Sequence, residues 1–500
     1  MAQPLICMTL TGSTLEEDAQ LAKKYEKYID IVELRLDHLT EDEQLQARRF
    51  PSMISQPCIL TIRRDIDGGK FNGGEFSRTN LFARALAFAD QNKMKNYAYV
   101  DFEEDYQVPS IQEAAMAFNI TIIRSFHNMK GTVRNLKERC DQMRKTGHEI
   151  PKIAFMPENL SDVINMFEEG QKMTDYPHIF CAMGPEGFPS RVLSSLSNSY
   201  LTFVSPEEVM ANTAGIGHID PVTINKVYNF RSITKDTSLY GITGWPLPKT
   251  SSPEIHNAGY KKDNLDAVYF PFRSPSISQA MNFAEKMGVK GFSVTIPHKE
   301  SVMPYLDDIS PEVAHIGACN TVVRNDFGWA GYNTDASGFR RALEEFLGNN
   351  KIKRKKVAVI GAGGAAKAIV YALKQMGAKV CIFNRTVQTA KNLAEKYGFQ
   401  YCSLDPSCVD VLDEYSNLIV QTTSVGMLTS EPRTPENSDP IYFYKFRGNE
   451  MIYDIIYKPV VTPIMERAKK AGCKVCNGYR MLECQAYEQY KLFTGLDYQE

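Results

Sequence analysis

The chain has 500 residues, of which 43% are hydrophobic and 23% are charged, and its formal net charge is −2. This charge gives no electrostatic reason to expect nucleic acid or an anionic membrane as a partner, and no apolar run is long enough to span a bilayer. The length predicts more than one domain, the N-terminus predicts no signal peptide, and the eleven scattered cysteines predict free thiols in a reducing cytoplasm.

The first half of the chain alternates short apolar runs with helix-like segments. Eight runs have the character of strands, and they lie at 6–10, 29–37, 58–62, 97–103, 120–125, 152–156, 178–183 and 200–204. Such alternation over about 200 residues is typical of a (β/α)8 barrel. We therefore predict an α/β protein whose N-terminal barrel covers residues 1–228.

Polar side chains lie at or near the ends of these runs, where barrel enzymes place their active sites. Those residues are Glu33, Arg35, Arg63, Asp101, Glu103, His127 and Arg191, and Lys152 opens the sixth run. A neutral lysine on a barrel strand can attack a ketone and form an imine. Three neighbouring strands are thus expected to bring together Lys152 as nucleophile, His127 as base and Glu103 as the carboxylate that orients the base.

The motifs around these residues resemble those of the type I 3-dehydroquinate dehydratases. The matching segments are ELRLD (33–37), TIRRDIDGG (61–69), VDFE (100–103), IIRSFHN (122–128), KIAFMP (152–157) and MGPEGFPSRVLSS (183–195). The resemblance implies that Lys152 forms a Schiff base with the ketone of 3-dehydroquinate. It implies that His127 removes a proton and helps to expel water, and that Glu103 holds the imidazole in position.

The same resemblance implies which residues bind the substrate. They are Arg63 and Arg191, with Glu33 and Arg35 as contacts to hydroxyl groups or as braces of the site. One loop departs from the family pattern, because Ser-Ala-Pro-Gly-Gln is replaced by NTAGIGHID at 212–220. Thr213 is expected to supply the hydroxyl of the Ser. No Gln is present, so either His218 takes its place or the loop closes differently.

The second half alternates strands and helices again and predicts two further α/β units. The first unit covers 237–340 and is expected to be completed by a C-terminal helix at 478–500. The second unit covers 350–477 and begins with the segment VAVIGAGGAAKA. Because a glycine turn here follows a β-branched strand and opens a helix, we predict a Rossmann unit that binds a dinucleotide pyrophosphate on backbone N–H groups. The turn contains Gly361, Gly363, Gly364, Ala365 and Ala366.

The cofactor preference is predicted from the end of the next strand. An NAD site presents Asp or Glu to the ribose about 20 residues beyond the glycine turn. This chain has Asn384, Arg385 and Thr386 at that point. A carboxylate repels a 2′-phosphate whereas a guanidinium attracts it, so Arg385 predicts NADP rather than NAD.

The unit at 237–340 contributes residues suited to a reaction at a hydroxyl group. Lys299 lies in SVTIPHKE, Asn320 in GACNTVV and Asp335 in GYNTDASG. A Lys–Asp pair can pass a proton to an oxygen that becomes an alcohol. We therefore predict that Lys299 and Asp335 act as an acid–base pair.

With these motifs the second half resembles shikimate dehydrogenase along residues 237–500. Further matching segments are GWPLPKTSSPEIHN, NRT, QTTSVGM, YDIIYKPVVTP and GYRMLECQA. The resemblance implies that Lys299 and Asp335 are catalytic. It implies that six residues surround the substrate: Thr250, Ser252, Thr295, Asn320, Tyr457 and Gln485. It implies that three residues line the nicotinamide side: Thr423, Ser424 and Met427.

The two resemblances fit together, because the product implied for the barrel is the substrate implied for the second half. We predict a bifunctional enzyme of the shikimate route to chorismate and aromatic amino acids, laid out like the fused plant enzymes, with small-molecule substrates and no bound metal. Two alternatives stay open. Thr250 stands where the family has Ser, which leaves quinate as a possible substrate of the second half, and the altered 212–220 loop leaves a barrel that serves only as a docking module.

Overall fold

The structure is a computed structural model that describes residues 3–86, 95–247, 249–348, 351–427 and 434–500. The chain divides into two compact units. The first comprises Met1–Pro246 and Tyr260–Val289, and the second comprises Leu247–Gly259 and Lys290–Glu500. The domain boundaries expected from the sequence stay predictions, and two of them, residues 1 and 350, lie outside the described residues.

The first unit contains a barrel of eight parallel strands. These are β1 (Leu5–Leu10), β2 (Ile31–Arg35), β3 (Cys58–Thr61), β4 (Tyr99–Glu103), β5 (Thr121–Asn128), β6 (Ile150–Phe155), β7 (Ile179–Ala182) and β8 (Leu201–Val204). Their order is β7-β6-β5-β4-β3-β2-β1-β8, and a parallel bridge between His178 and Ser199 joins the two ends beside β7 and β8. The predicted barrel is confirmed.

Helices alternate with the barrel strands, as in other barrels of this class. They are α1 (Leu15–Tyr25), α2 (Glu41–Gln44), α3 (Gly74–Leu86), α4 (Pro109–Ala117), α5 (Leu136–Met143), α6 (Leu160–Lys172), α7 (Pro189–Val192) and α8 (Pro221–Lys226). Helix α6 begins with a capping box in which Asn159 and Asp162 satisfy each other's backbone N–H groups.

Side chains alternate between the two faces of a strand, which places every second residue inside the barrel. Ile31, Ile123, Ile150 and Ile179 form part of one apolar layer in the interior. On β2, β5 and β6 the next inward positions, two residues further on, are polar: Glu33, Ser125 and Lys152. Lys152 is such a residue: it is the third residue of β6 rather than its first, paired with Ser125 of β5 and Ile179 of β7.

The rest of the first unit and the start of the second hold a strand pair and two helices. These elements are β9 (Ser238–Thr243), α9 (Ser252–Lys262), β10 (Ala267–Pro271) and α10 (Ile277–Met287). β9 and β10 are parallel, and α10 packs against α6 of the barrel. Within the first unit, the segment that follows the barrel therefore packs directly on it.

The second unit contains a small strand group and its helices. They are β11 (Val289–Val294), α11 (His298–Ser301), β12 (Asp308–Ile309), α12 (Pro311–Ile316), β13 (Thr321–Asn325), β14 (Gly328–Tyr332) and α13 (Asp335–Leu347). β13 pairs antiparallel with both β11 and β14, and β12 runs parallel to β14.

A second sheet in this unit is fully parallel. Its strands and helices are β15 (Lys356–Ile360), α14 (Gly364–Gln375), β16 (Lys379–Asn384), α15 (Val387–Tyr397), β17 (Gln400–Ser403), α16 (Val409–Glu414), β18 (Leu418–Gln421), α17 (Pro435–Ser438), β19 (Met451–Asp454), α18 (Pro463–Lys470) and β20 (Lys474–Cys476). The last helix, α19 (Tyr479–Thr494), packs against α13. The strand order β17-β16-β15-β18-β19-β20 is that of a Rossmann fold, which confirms the prediction.

The apolar run of β15 serves both faces of this sheet. Val357 and Val359 belong to one buried cluster, and Ala358 and Ile360 belong to another. A strand covered on both faces has no polar alternation, which explains its unbroken apolar sequence. None of the helices in the described part of the chain combines the length and apolarity needed to cross a membrane.

Candidate active sites

A cavity opens at the C-terminal ends of the barrel strands. It is lined by charged and polar side chains together with apolar ones, among them Glu33, Arg35, Arg63, Asp67, His127, Lys152, Arg191, Phe203 and His218. The structure therefore brings together seven residues that the sequence placed at or near strand ends or in the altered loop: Glu33, Arg35, Arg63, His127, Lys152, Arg191 and His218.

Lys152 is 5% exposed and lies among carboxylates and an aromatic ring. Its Nζ atom is 2.9 Å from Oδ2 of Asp101 and 3.6 Å from Oε1 of Glu33. The same Nζ atom lies 4.4 Å from the centroid of the Phe203 ring. A buried amine in this position is held by charge on one side and by apolar surface on the other.

Asp101 is the carboxylate in closest contact with Lys152, although the sequence assigned it no role. It also lies 2.8 Å from Nη2 of Arg63 and accepts a hydrogen bond of 2.5 Å from Ser125. Burial raises the pKa of Asp101, but the positive charges of Arg63 and Lys152 outweigh burial and hold the pKa well below its ordinary value. Its position two residues before Glu103 on β4 was the available signal, because i and i+2 share a strand face.

Glu103 is saturated by two arginines. Its Oε1 atom lies 2.6 Å from Nη1 of Arg63, and its Oε2 atom lies 2.6 Å from Nη1 of Arg78, a fully buried residue of α3. Over the described ranges, the Nδ1 atom of His127 is buried without a hydrogen-bond partner. The contact between Glu103 and the Nδ1 of His127 that would orient the imidazole is thus not formed, because both carboxylate oxygens are taken by guanidinium groups.

His127 lies inside β5 and faces the cavity. Burial lowers its pKa well below the ordinary value, and the positive charges of Arg63 and Lys152 lower it further. The imidazole is therefore neutral and able to accept a proton.

A carboxylate that the sequence did not single out, Asp67, also lines the cavity and forms an ion pair of 2.7 Å with Arg64.

Glycines fix the turn that carries Asp67. A Cβ at Gly69 would lie 2.2 Å from the carbonyl oxygen of Arg63, and Gly68 has a φ of +83°. Only glycine allows this approach and this left-handed conformation. The GG pair in TIRRDIDGG therefore fixes the turn that brings Asp67 to the cavity wall.

Two arginines of the cavity differ in their surroundings. Arg35 forms hydrogen bonds of 2.9 and 2.7 Å to the carboxylate of Asp37. Arg191 donates to the carbonyl oxygen of Ile216 at 2.9 Å, and no carboxylate of the described ranges lies within ion-pair distance of it. Burial lowers the pKa of Arg191. A buried guanidinium without a counter-ion is suited to hold an anionic ligand.

In the second unit, Lys299 and Asp335 form the expected pair. Nζ of Lys299 lies 2.5 Å from Oδ2 of Asp335, and both side chains are largely buried. Asp335 begins α13, where the positive end of the helix dipole favours a carboxylate. Asn333 fixes this helix start by accepting the N–H groups of Asp335 and Ala336.

The predicted substrate-binding side chains form two groups. In one, Tyr457 donates to Thr250 at 3.1 Å, and the hydroxyl groups of Thr250 and Ser252 are 3.1 Å apart. In the other, Asn320 donates to Gln485 at 3.2 Å.

Residues that the sequence did not single out hold the second group in place. The side-chain amide of Asn320 also donates to the hydroxyl of Thr334 at 3.0 Å, and it accepts a hydrogen bond from the backbone N–H of Thr334. Gln489 binds Ser293 and Thr321. It lies four residues after Gln485 on α19 and so shares a helix face with it.

Thr295, another predicted substrate-binding residue, accepts the backbone N–H of His298 through its carbonyl group, in the turn that precedes Lys299.

The glycine turn between β15 and α14 leaves room for a ligand. A Cβ at Gly363 would meet nothing within 4 Å, whereas a Cβ at Gly361, where φ is +111°, would lie 2.6 Å from Oγ1 of Thr422. A Cβ at Gly364 would lie 3.4 Å from Cβ of Lys299. The start of α14, which includes Ala365, therefore has room for a ligand beside its backbone N–H groups and lies close to Lys299. This arrangement fits a dinucleotide.

The neighbouring strand ends complete this site. Arg385 is exposed directly after β16, and Asn384 donates to the carbonyl oxygen of Thr386 at 3.0 Å. Beside them, the buried Gln421 binds both the N–H and the carbonyl of Thr423 and the carbonyl of Val425. Ser424 accepts the N–H of Met427. Gln421, which the sequence did not single out, thus shapes the loop expected at the nicotinamide side.

Comparison with known families agrees with this geometry. The family model of Type I 3-dehydroquinase matches residues 6–235, that of the shikimate dehydrogenase substrate binding domain matches residues 242–322, and that of Shikimate / quinate 5-dehydrogenase matches residues 342–438.

Relatives match the whole chain or its second half. The bifunctional 3-dehydroquinate dehydratase/shikimate dehydrogenase, chloroplastic, of Arabidopsis thaliana is 32% identical over 98% of this chain and 82% of that protein. The shikimate dehydrogenase (NADP(+)) of Pyrococcus abyssi is 36% identical over 52% of this chain and 92% of that protein. The crystal structure of shikimate dehydrogenase from Aquifex aeolicus is 35% identical, covers 53% of this chain and 95% of that one, and has a TM-score of 0.47. The chain therefore belongs to the family of bifunctional 3-dehydroquinate dehydratase/shikimate dehydrogenases.

Proposed function

We infer that this chain catalyses two consecutive reactions of the shikimate pathway. The barrel dehydrates 3-dehydroquinate to 3-dehydroshikimate, and the second half reduces 3-dehydroshikimate to shikimate with NADPH. One observation carries the inference: a single chain places a buried lysine in a cavity of a barrel and a Lys–Asp pair beside a dinucleotide-binding turn.

For the dehydratase, we propose that Lys152 attacks the ketone carbon and that the ketone oxygen leaves as water, which forms an iminium. The neutral His127 then takes a proton from the adjacent carbon, and the electron pair moves onto the iminium nitrogen. This pair then returns from the nitrogen, which restores the iminium, forms the ring double bond and expels the ring hydroxyl; the hydroxyl takes the proton from His127 and departs as water. Hydrolysis of the imine releases the product and restores Lys152. The burial of Lys152 and the neutral state of His127 support these roles.

The charged neighbours support the reacting groups. Arg191 is proposed to bind the substrate carboxylate, because it is a buried cation without an ion-pair partner among the described residues. Arg63 contacts both Asp101 and Glu103, so we propose that it acts chiefly by fixing these carboxylates. Glu103 then braces Arg63, and Glu33 and Arg35 complete the wall of the cavity.

For the dehydrogenase, we propose that Lys299 and Asp335 deliver the proton to the oxygen that becomes a hydroxyl group. NADPH supplies the hydride when it is bound. The glycine turn at Gly361, Gly363 and Gly364 is proposed to hold its pyrophosphate, and Arg385 its 2′-phosphate. Shikimate is proposed to contact six side chains: Thr250, Ser252, Thr295, Asn320, Tyr457 and Gln485.

The test is a coupled assay with purified protein. We expect 3-dehydroquinate and NADPH together to give shikimate, with a loss of nicotinamide absorbance and without any added enzyme. 3-Dehydroquinate alone is expected to stop at 3-dehydroshikimate. Oxidation of quinate, assayed beside oxidation of shikimate, decides the substrate preference that Thr250 leaves open. Failure to form 3-dehydroshikimate would contradict the barrel assignment.

We propose a cytoplasmic, reducing location. All eleven cysteines are free thiols, and most of them are buried. Fractionation of the source cell tests this location. The name of the Arabidopsis relative includes the word chloroplastic, and recovery of this protein in an organellar fraction would contradict the proposal.

A further inference from the structure

His218 lies in the wall of the barrel cavity and has no part in the reactions described above. Its ring is nearly parallel to that of Phe203, at an angle of 9° and with centroids 6.4 Å apart. Both residues line the cavity together with Lys152 and Arg191. A polar ring in this wall is therefore placed to contact a polyhydroxylated substrate that binds in the cavity.

The backbone holds His218 firmly at the end of β8. The next residue, Ile219, forms a parallel bridge with Val204 and accepts the N–H of Ser205 at 3.0 Å. The preceding residue, Gly217, has a φ of +69°, and a Cβ there would lie 2.9 Å from the carbonyl oxygen of Gly184. A glycine turn and a strand bridge therefore fix the imidazole on both sides.

Two hydroxyl groups form a chain of contacts that ends at the Nδ1 atom of His218. Oγ1 of Thr213 lies 2.9 Å from Oγ of Ser205 and 3.2 Å from the carbonyl oxygen of Met210. Oγ of Ser205 lies 2.6 Å from Nδ1 of His218. If the shorter contact takes the proton of Thr213, Ser205 donates to Nδ1, and the ring proton is on Nε2. Burial lowers the pKa of His218 well below its ordinary value, as do the positive charges of Arg191 and Arg35, so the ring is neutral and keeps one N–H.

We propose that His218 binds the dehydratase substrate by donating a hydrogen bond from Nε2 to a carboxylate or hydroxyl oxygen at the end held by Arg191. The inference rests on the proposed dehydratase function. The proposal gives Thr213 a different role from the one expected from the sequence. Thr213 is only 3% exposed, and its hydroxyl acts on His218 through Ser205 without touching substrate.

Two substitutions separate the hydrogen bond from the packing. His218→Phe keeps an aromatic ring against Phe203 and removes the donor, whereas His218→Gln keeps an N–H donor and removes the ring. We expect His218→Phe to raise KM for 3-dehydroquinate by about 10- to 100-fold, the range for one hydrogen bond to a charged group, with a smaller change in kcat. His218→Gln is expected to stay within about fivefold of wild type. His148→Gln, at an exposed histidine of the barrel, is the matched control.

The reductase reaction of each variant serves as the measure of intact protein, because its residues belong to the second unit. A wild-type KM in His218→Phe would overturn the inference, and equal losses in the Phe and Gln variants would show that His218 only supports the loop. If wild-type protein fails to dehydrate 3-dehydroquinate, it is the proposed function that is wrong.

A measurement on wild-type protein covers the case in which His218→Phe does not fold. With ¹⁵N-labelled histidine, the His218 resonances, assigned by their loss in His218→Gln, are expected to show a proton on Nε2 and to shift when 3-dehydroshikimate is added. A proton on Nδ1, or no shift with saturating ligand, would overturn the inference.

Discussion

The Nζ atom of Lys152 lies 2.9 Å from the Oδ2 atom of Asp101 in the interior of the barrel. Asp101 is also in contact with Arg63, so one buried carboxylate faces two cations. This arrangement depends on period-two alternation, since Lys152 on β6 and Asp101 on β4 both point inward from strands separated by β5. Charge balance within the cavity therefore limits which substitutions the site can accept.

Asp101→Asn should damage both stability and activity. The substitution leaves Lys152 and Arg63 buried without their shared counter-ion, and breaking a buried ion pair costs about 3–5 kcal/mol. We expect a lower free energy of unfolding in urea and a large loss of dehydration. Asp141→Asn, which removes the partner of the exposed Lys137, is the control and should change little.

The pH dependence of this effect has a definite sign. The pKa of Asp101 is depressed in the folded protein, so its contribution to stability is present above the unfolded pKa of about 3.9 and is lost as the pH falls below it. The stability difference between wild type and Asp101→Asn should therefore shrink below about pH 4. A difference that is constant from pH 7 to pH 3 would contradict the charge-pair explanation.

Lys152→Ala should abolish dehydration and leave the reductase reaction intact. The imine requires the amine of Lys152, and the reductase residues lie in the second unit. Borohydride added with 3-dehydroquinate should trap an adduct on the wild-type peptide that contains Lys152, as read by mass spectrometry. An adduct on another lysine, or an active enzyme without an adduct, would contradict the assignment.

The sequence predicted both folds because their signals are local. Alternating apolar runs indicated the barrel, and GxGxxA after a β-branched strand indicated the Rossmann unit that begins at β15. The family and the NADP cofactor are confirmed by the relatives. The individual residue roles stay predictions.

Contacts between distant segments were beyond reach of the sequence. The pairing of Glu103 with Arg78 depends on how α3 docks against β4, and no spacing along the chain encodes it. Likewise Gln421 contacts Thr423 and Val425 through a loop conformation that a short motif does not reveal. The role of Glu103 in holding His127, expected from strand position and from the family resemblance, stays a prediction, while in the structure Arg63 and Arg78 contact the two carboxylate oxygens.

Substitutions at two glycines should distinguish a loss of room for the cofactor, which lowers NADPH affinity, from backbone strain, which lowers Tm. Gly363→Ala adds a Cβ that meets nothing within 4 Å and should leave Tm unchanged, yet weaken NADPH binding if the pyrophosphate lies against this turn. Gly361→Ala imposes a φ of +111° on alanine and a contact of 2.6 Å to Thr422, and should lower Tm. NADPH affinity that stays normal in a folded Gly363→Ala variant would remove this turn from the cofactor site.

Arg385→Ala should reduce the preference for NADP over NAD. Arg385 is exposed directly after β16, and one charge-assisted contact to a 2′-phosphate is worth about 1.5–3 kcal/mol, or roughly 10- to 100-fold in affinity. Kinetics with both cofactors measure the change. Lys391→Ala on α15 removes a half-buried cation that pairs with Glu395, and it is the control. A preference equal to wild type in Arg385→Ala would place the 2′-phosphate elsewhere.

Lys299→Ala should lower reductase turnover by about 10²- to 10⁴-fold, the usual contribution of a positioned acid–base group. The substitution removes the amine that lies 2.5 Å from Asp335, and it leaves Gly361, Gly363 and Arg385 unchanged. NADPH affinity, titrated by fluorescence, should therefore barely change. Dehydration should persist, since Lys152 and His127 are untouched, which makes Lys152→Ala the reciprocal control. A Lys299→Ala variant with normal turnover, or one that loses NADPH binding in place of turnover, would refute the proton-transfer role.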